Sequence, residues 1–217
     1  MLYASTLLNL RVFDRPSQTE EDAQRTGMYT VERQRRDSRN QIQSLAQWLK
    51  GLEIKVTAQE LNPANLMRAA QLFNKTNQMN LKTRRMSETE LMGWSKEQGH
   101  KLWVMDVADK FGRYGLTGLV SVSSDERKAV VELVDFLLSC RVMGRHVEET
   151  MLYIALNYAK DLKAKEVIVE YLPTEKNKPC LEFFQQSGFL SNGTPNLFRW
   201  QTEKDYSLPD AIELKKG

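Results

Sequence analysis

The chain has 217 residues, 41% of them hydrophobic and 27% charged, enough apolar material for one globular domain with an extension. Its 31 basic and 28 acidic residues leave a net charge of +3, too balanced for a dedicated nucleic-acid binder. Two cysteines, Cys140 and Cys180, lack a CxxC spacing and there are only two histidines. That pattern argues for a reduced, cytoplasmic protein without a metal.

At the N-terminus, Arg11 and Asp14 interrupt a short apolar stretch, so neither a membrane span nor a cleaved leader is expected. Thr19 followed by Glu20, Glu21 and Asp22 reads as a helix start, opening a polar helical stretch that Gly27 can interrupt. Residues 1–50 are expected to form a helical extension or connector, and 51–217 the main domain.

In LEIKVTAQEL, Leu52, Ile54 and Val56 alternate with Glu53, Lys55 and Thr57, the period of a half-buried strand. Asn62 and Pro63 open a helix whose Leu66, Ala69, Ala70 and Phe73 share one face. Ser87 and Glu90 form a capping box for a second helix, and Gly99 is its natural stop.

KLWVMDVAD, YGLTGLVSVSS and AVVELVDFLLSC fit a three-stranded antiparallel meander, although the third segment also suits a buried helix. Val147, Met151, Ile154, Ala155 and Tyr158 then repeat at helical spacing. EVIVEYL reads as a strand, Asn177 and Pro179 as the start of a short helix ending at Gly188, and LFRW as a final strand. The tail after Trp200 is weakly patterned.

Two local signals accompany this order of elements. RVMGR, residues 141–145, resembles the R/Q-x-x-G-x-G/A phosphate loop of the Gcn5-related N-acetyltransferase (GNAT) family, and FFQQSGF resembles its F-Y-x-x-x-G-F stretch. The implied fold is α/β (α+β), a GNAT-like mixed and mostly antiparallel sheet flanked by helices.

NKTNQMNLKTRRMSETEL, DKFGRYGLTGLV, LLSCRVMGRHVE and PTEKNKP resemble, in that order, the C-terminal half of FkbH-like proteins of polyketide assembly lines. The resemblance spans residues 17–190. It implies transfer of a glyceryl unit from 1,3-bisphosphoglycerate to an acyl carrier protein. The D-x-D-x-T/V motif of that family's haloacid-dehalogenase-type (HAD) phosphatase half is not found. A phosphatase activity is therefore expected from another chain or from a region not included.

A loop at a helix N-terminus holds phosphate oxygens with unpaired N–H groups and partial positive charge. Gly144 lets the backbone approach a ligand, and Arg141 and Arg145, with Val142 between them, add charge-assisted contacts. The ligand implied is the phosphopantetheine arm of coenzyme A or of a carrier protein. His146 stands where the family has a small residue, which favours the carrier-bound arm with its single phosphate. The alternative is a plain helix cap whose arginines pair with Glu148 and Glu149.

Cys140 ends the strand before this loop, where a thiolate near cations could carry an acyl group as a thioester, with His146 as base. It could equally be a small core filler, the role expected of Cys180. Asn77, Gln78, Thr83, Arg84 and Arg85 suit a hydroxylated, phosphorylated three-carbon substrate, or a polar surface loop. Thr174, Lys176 and Asn177 are expected on the opposite wall, with Asn177 also a good cap. Phe184 stands where amine-acetylating relatives often place a proton-donating Tyr, which favours transfer to a thiol. The alternatives are an acyl-CoA-dependent N-acetyltransferase and a non-catalytic carrier-protein docking module.

Overall fold

The structure, a computed structural model, describes residues 30–39, 44–125, 127, 129–191, 193–194 and 196–217. The chain divides into two compact units, Met1–Gln43 and Ser44–Gly217. Of the first, residues 30–39 are helical; the expected helix start at Thr19 lies outside the described residues. The second unit begins at Ser44, whose hydroxyl caps α1 (Leu45–Gly51).

The order of elements then runs β1 (Ile54–Glu60), α2 (Pro63–Lys75), β2 (Met79–Asn80), α3 (Glu88–Ser95), β3 (His100–Asp109), β4 (Gly112–Asp125) and β5 (Val130–Leu138). It continues with α4 (Val147–Asp161), β6 (Glu166–Glu170), α5 (Lys178–Gln186), β7 (Leu197–Gln201) and β8 (Ile212–Lys216). The strands form one sheet in the order β7-β6-β5-β4-β3-β1-β8, with β2 added to β5. The β3-β4-β5 meander is antiparallel as the alternation predicts. Its third member is a strand because neighbours hydrogen-bond to both its edges, a long-range fact that periodicity does not contain.

Two of the predicted N-terminal caps, at Asn62 and at Ser87, are present. The Asn62 side chain accepts from the N–H groups of Ala64 and Asn65, while the Asn65 side-chain oxygen accepts the Asn62 N–H. Ser87 and Glu90 close the reciprocal box. Against expectation, the weakly patterned tail supplies β8, which runs parallel to β1 from Ile54↔Ile212 to Ala58↔Lys216.

Helices cover both faces. Ala69, Ala70 and Phe73 of α2 and Leu91 of α3 pack with Leu102, Val104, Leu119 and Leu137 of the sheet. Gly118, next to Leu119, points the other way, and a Cβ there would lie 3.0 Å from Met151 of α4. Helix α4 therefore covers the opposite face. An aromatic cluster of Phe136, Phe183, Phe184, Phe189 and Phe198 ties α5 to the sheet. Among the described residues no helix is long and apolar enough to cross a membrane.

Candidate functional site

The parallel pair β5–β6 is joined only from Val130↔Glu166 to Leu133↔Val169, yet β5 continues to Leu138 with β4 on its other edge. The C-terminal halves of β5 and β6 thus diverge and leave a notch. The notch is filled by the chain itself. Met79 and Asn80 pair antiparallel with Leu138 and Leu137, the Leu81 N–H donates to the Phe136 carbonyl at 3.3 Å, and the Leu81 carbonyl accepts the Leu172 N–H at 3.0 Å.

Three side-chain anchors hold this segment. Asn177 is fully buried and satisfies all four of its hydrogen-bonding positions. Its amide donates to the carbonyls of Asn80 and Leu172, both at 2.9 Å, while its oxygen accepts from the Tyr171 hydroxyl and the Thr174 N–H, both at 2.7 Å. The Lys82 ammonium bridges Glu132 of β5 at 2.7 Å and Glu170 of β6 at 3.0 Å. These two carboxylates push its pKa up against the opposing effect of burial, the largest single influence. Arg84 makes a bidentate pair with buried Asp135 of β5, and the Ser121 hydroxyl donates to the same carboxylate at 2.6 Å.

Several other polar residues of this stretch, Arg85 and Gln78 among them, lie nearer the surface. Arg85 donates to the Phe73 carbonyl at the end of α2 and to the Asn77 side chain. Gln78, Thr174 and Lys176 are exposed. Asn177, expected on a wall or as a helix cap, makes no capping bond to α5 and instead joins β2 to the chain after β6. Thr83 has a left-handed φ of 51°, unfavourable for a β-branched residue, and its buried hydroxyl has no hydrogen-bond partner.

Cys140, expected to end the strand, lies two residues beyond β5 in the turn that follows; it is exposed, whereas Cys180 is buried and its thiol is pushed up to about 12 by desolvation. Val142 is fully buried and anchors the loop. Arg141 is half-buried and Gly144 exposed; Gly144 has a φ of +70° and no atom within 4 Å of a would-be Cβ. Arg145 is mostly buried, with its guanidinium 5.0 Å from the Tyr114 ring centre and 5.9 Å from that of Trp48.

His146 is the left-handed N-cap residue of α4, and its Nδ1 meets Glu149 Oε1 at 3.0 Å. The Gly144 N–H does not await a ligand. Glu148 Oε1 accepts it at 2.6 Å, so a carboxylate from the first turn of α4 sits on the anion-binding face of the loop. Glu148 is buried, and desolvation pushes it up to about 7, opposed by the hydrogen bond from Gly144 and by His146. Burial together with Glu149 and Glu148 likewise raises Tyr206.

Sequence reasoning thus missed Lys82, Asp135 and Glu148 as organisers of the region. For Glu148 a signal existed, an acid in the first turn of a helix behind a glycine. For the other two, only the sheet pairing shows the relation. A groove between α2 and α3, lined by Leu66, Met92 and Lys96, holds about 470 Å³, and a water-sized pocket of about 10 Å³ lies beside Trp200 and Tyr206. Neither reaches the loop or the notch. Among the described residues no three His, Cys, Asp or Glu side chains gather as a metal site.

Neither a family model nor a curated protein sequence matches the chain. Solved structures do. A spermidine N-acetyltransferase from Vibrio cholerae in complex with CoA and spermine is similar with a TM-score of 0.54 at 17% identity, over 69% of this chain and 96% of that one. A domain from Methanocaldococcus jannaschii gives 0.52 at 15%, over 68% and 99%. Mutant forms of the spermidine/spermine N-acetyltransferase from Vibrio cholerae give 0.51 at 15%, over 68% and 94%. At such identities the likeness speaks to fold, and it is the GNAT-like mixed, mostly antiparallel sheet flanked by helices.

Proposed function

We propose that the Ser44–Gly217 unit is an acyltransferase domain that passes a three-carbon, glyceryl-type acyl group through Cys140 to the phosphopantetheine thiol of an acyl carrier protein. The observation that carries this reading is the exposed Cys140 in the turn after β5, directly before the loop that opens α4. The resemblance of that loop and of residues 74–91 to FkbH-like proteins supports the substrate class.

In the first step the Cys140 thiolate attacks the acyl carbonyl of a glyceryl phosphate mixed anhydride. A C–S bond forms, the C–O bond to phosphate breaks with its electron pair leaving on phosphate, and His146 takes the thiol proton. In the second step the pantetheine sulfur attacks the thioester and gives up its thiol proton, the C–S bond to Cys140 breaks with its electron pair leaving on the Cys140 sulfur, and that sulfur takes back the proton held by His146. Arg141, Gly144 and Arg145 lie on the path of the arm's phosphate. Gln78, Thr174 and Lys176 are available to the donor, whereas Asn77, Thr83, Arg84, Arg85 and Asn177 shape the wall beside it. Removal of any remaining substrate phosphate falls to a HAD-type phosphatase domain or chain.

A coenzyme-A-dependent N-acetyltransferase is the second reading, favoured by the likeness to a structure solved with CoA. The buried Phe184, which has no proton to give, weighs against it.

Intact-mass spectrometry after incubation with a glyceryl phosphate donor and a phosphopantetheinylated carrier tests the proposal. The expected result is a glyceryl adduct on the wild type, absent from Cys140→Ala, that moves to the carrier. An adduct retained by Cys140→Ala overturns the covalent step. Turnover of acetyl-CoA on amines promotes the second reading. Carrier binding without any acyl-enzyme leaves a non-catalytic docking module.

A further inference from the structure

We propose that Met79–Leu81 is an internal gate, a strand that closes the β5–β6 notch as a stand-in for the pantetheine arm and must swing out before an arm can enter. The identity of the arm rests on the acyl-transfer reading; the gate itself rests on geometry.

Strand β5 offers a free edge at Phe136–Leu138 once β6 diverges, and an extended chain of amides is what a free strand edge takes up. A pantetheine arm, with its two amides in an extended chain, has that chemistry. Residues 79–81 already make those contacts, with pairing to Leu137 and Leu138 and the bond to the Phe136 carbonyl.

The second half of the stand-in is at the loop. Glu148 places a carboxylate on the Gly144 N–H at 2.6 Å, where a phosphate oxygen would otherwise be held. The other oxygen of this buried side chain has no hydrogen-bond partner. Both polar parts of an arm, its amides and its phosphate, are thus matched by the chain's own groups.

Two further features suit a gate rather than a fixed strand. Only Met79 and Asn80 form regular ladder pairs, so few backbone bonds break on opening. Thr83, just beyond, pairs a left-handed φ of 51° with a buried unpartnered hydroxyl, so the closed form holds local strain that opening releases. The hold is concentrated in side-chain anchors, of which the Lys82 bridge to Glu132 and Glu170 alone spans both strands of the notch.

The experiment uses the full chain carrying Cys140→Ala, so that acyl transfer is silent and the gate can fail while the transfer reading stands, or the reverse. Calorimetric binding of coenzyme A and of pantetheine, which lacks the phosphate, is compared with and without Lys82→Ala. Hydrogen exchange at residues 79–82 and 136–138 is followed in parallel.

Freed of its bridge, Lys82→Ala is expected to bind both probes at least tenfold more tightly, with faster exchange at 79–82. Glu148→Gln is expected to improve coenzyme A alone. Unchanged affinity for both probes in a folded Lys82→Ala protein overturns the gate. Should that variant not fold, millimolar coenzyme A on the parent protein decides. Deprotection of 79–82 supports the gate, and binding with 79–82 still protected, or no binding at all, overturns it.

Discussion

Glu148 makes stability depend on pH in a direction opposite to most paired carboxylates. Its carboxyl is buried at 5% exposure and lies near 7 rather than the usual 4.5 because desolvation outweighs the Gly144 hydrogen bond. Between those two values the folded protein binds more protons than the unfolded chain. Stability from this group is therefore complete below about pH 4.5 and is lost as pH rises through 7. A difference of about 2.5 pH units at about 1.36 kcal/mol each corresponds to about 3 kcal/mol. The facing groups are Glu149, which raises the value, His146, which lowers it, and Tyr206, itself raised by both acids and by burial.

Urea unfolding between pH 5 and 8 reads this loss. With a slope of about 1–3 kcal/mol per molar, the difference corresponds to roughly 1–3 M in midpoint. The quantity that matters is wild type minus Glu148→Gln, in which the contributions of the other titrating groups cancel. Glutamine keeps an oxygen for Gly144 without the ionisation. The variant is expected to gain on the wild type as pH rises. Parallel curves for the two proteins would refute the account and place water at Glu148.

Three other outcomes follow from the packing. A thiol reagent applied to the native protein at pH 8 should modify Cys140 at least about a hundredfold faster than Cys180, whose thiol burial pushes to about 12, since reactivity follows thiolate and exposure; equal rates would contradict the buried site. Asn177→Ala leaves four partners without their bond, two of these bonds buried and two part-buried, and should cost about 2–5 kcal/mol in denaturant unfolding, with a cost under about 1 kcal/mol counting against the hub. Gly99→Ala places a Cβ 2.6 Å from the Ser124 carbonyl oxygen, while Gly144→Ala meets nothing within 4 Å. Thermal unfolding should therefore fall much further for Gly99→Ala than for Gly144→Ala, which carries only the left-handed backbone strain of about 1–2 kcal/mol.

What the sequence reveals here is set by the range of the interactions. Asn62, Ser87 and Glu90 act within a turn, so their roles are written in four adjacent letters and the structure repeats them. The alternation at Ile54 and Val56 and the meander are equally local, whereas Leu52, read as part of the same strand, is the C-cap of α1. By contrast, β2 is two residues long and is a strand only because β5 lies beside it. Asn177 looks like a cap because asparagine before a proline-started helix usually is one; its partners include Asn80, 97 residues away. The loop at 141–145 is visible as a motif, but its occupation by Glu148 emerges only from the geometry of the first turn.

The last strand has a consequence for solubility. A sheet ends wherever a strand has one unpaired side, and such a side recruits other chains. Here β1 is covered by β8, whose outer row includes exposed Glu213, Lys215 and Lys216. Lysines at a border discourage stacking against a second copy. Deleting Ile212–Lys216 would leave the apolar-alternating β1 as the border, converting a charged margin into an adhesive one.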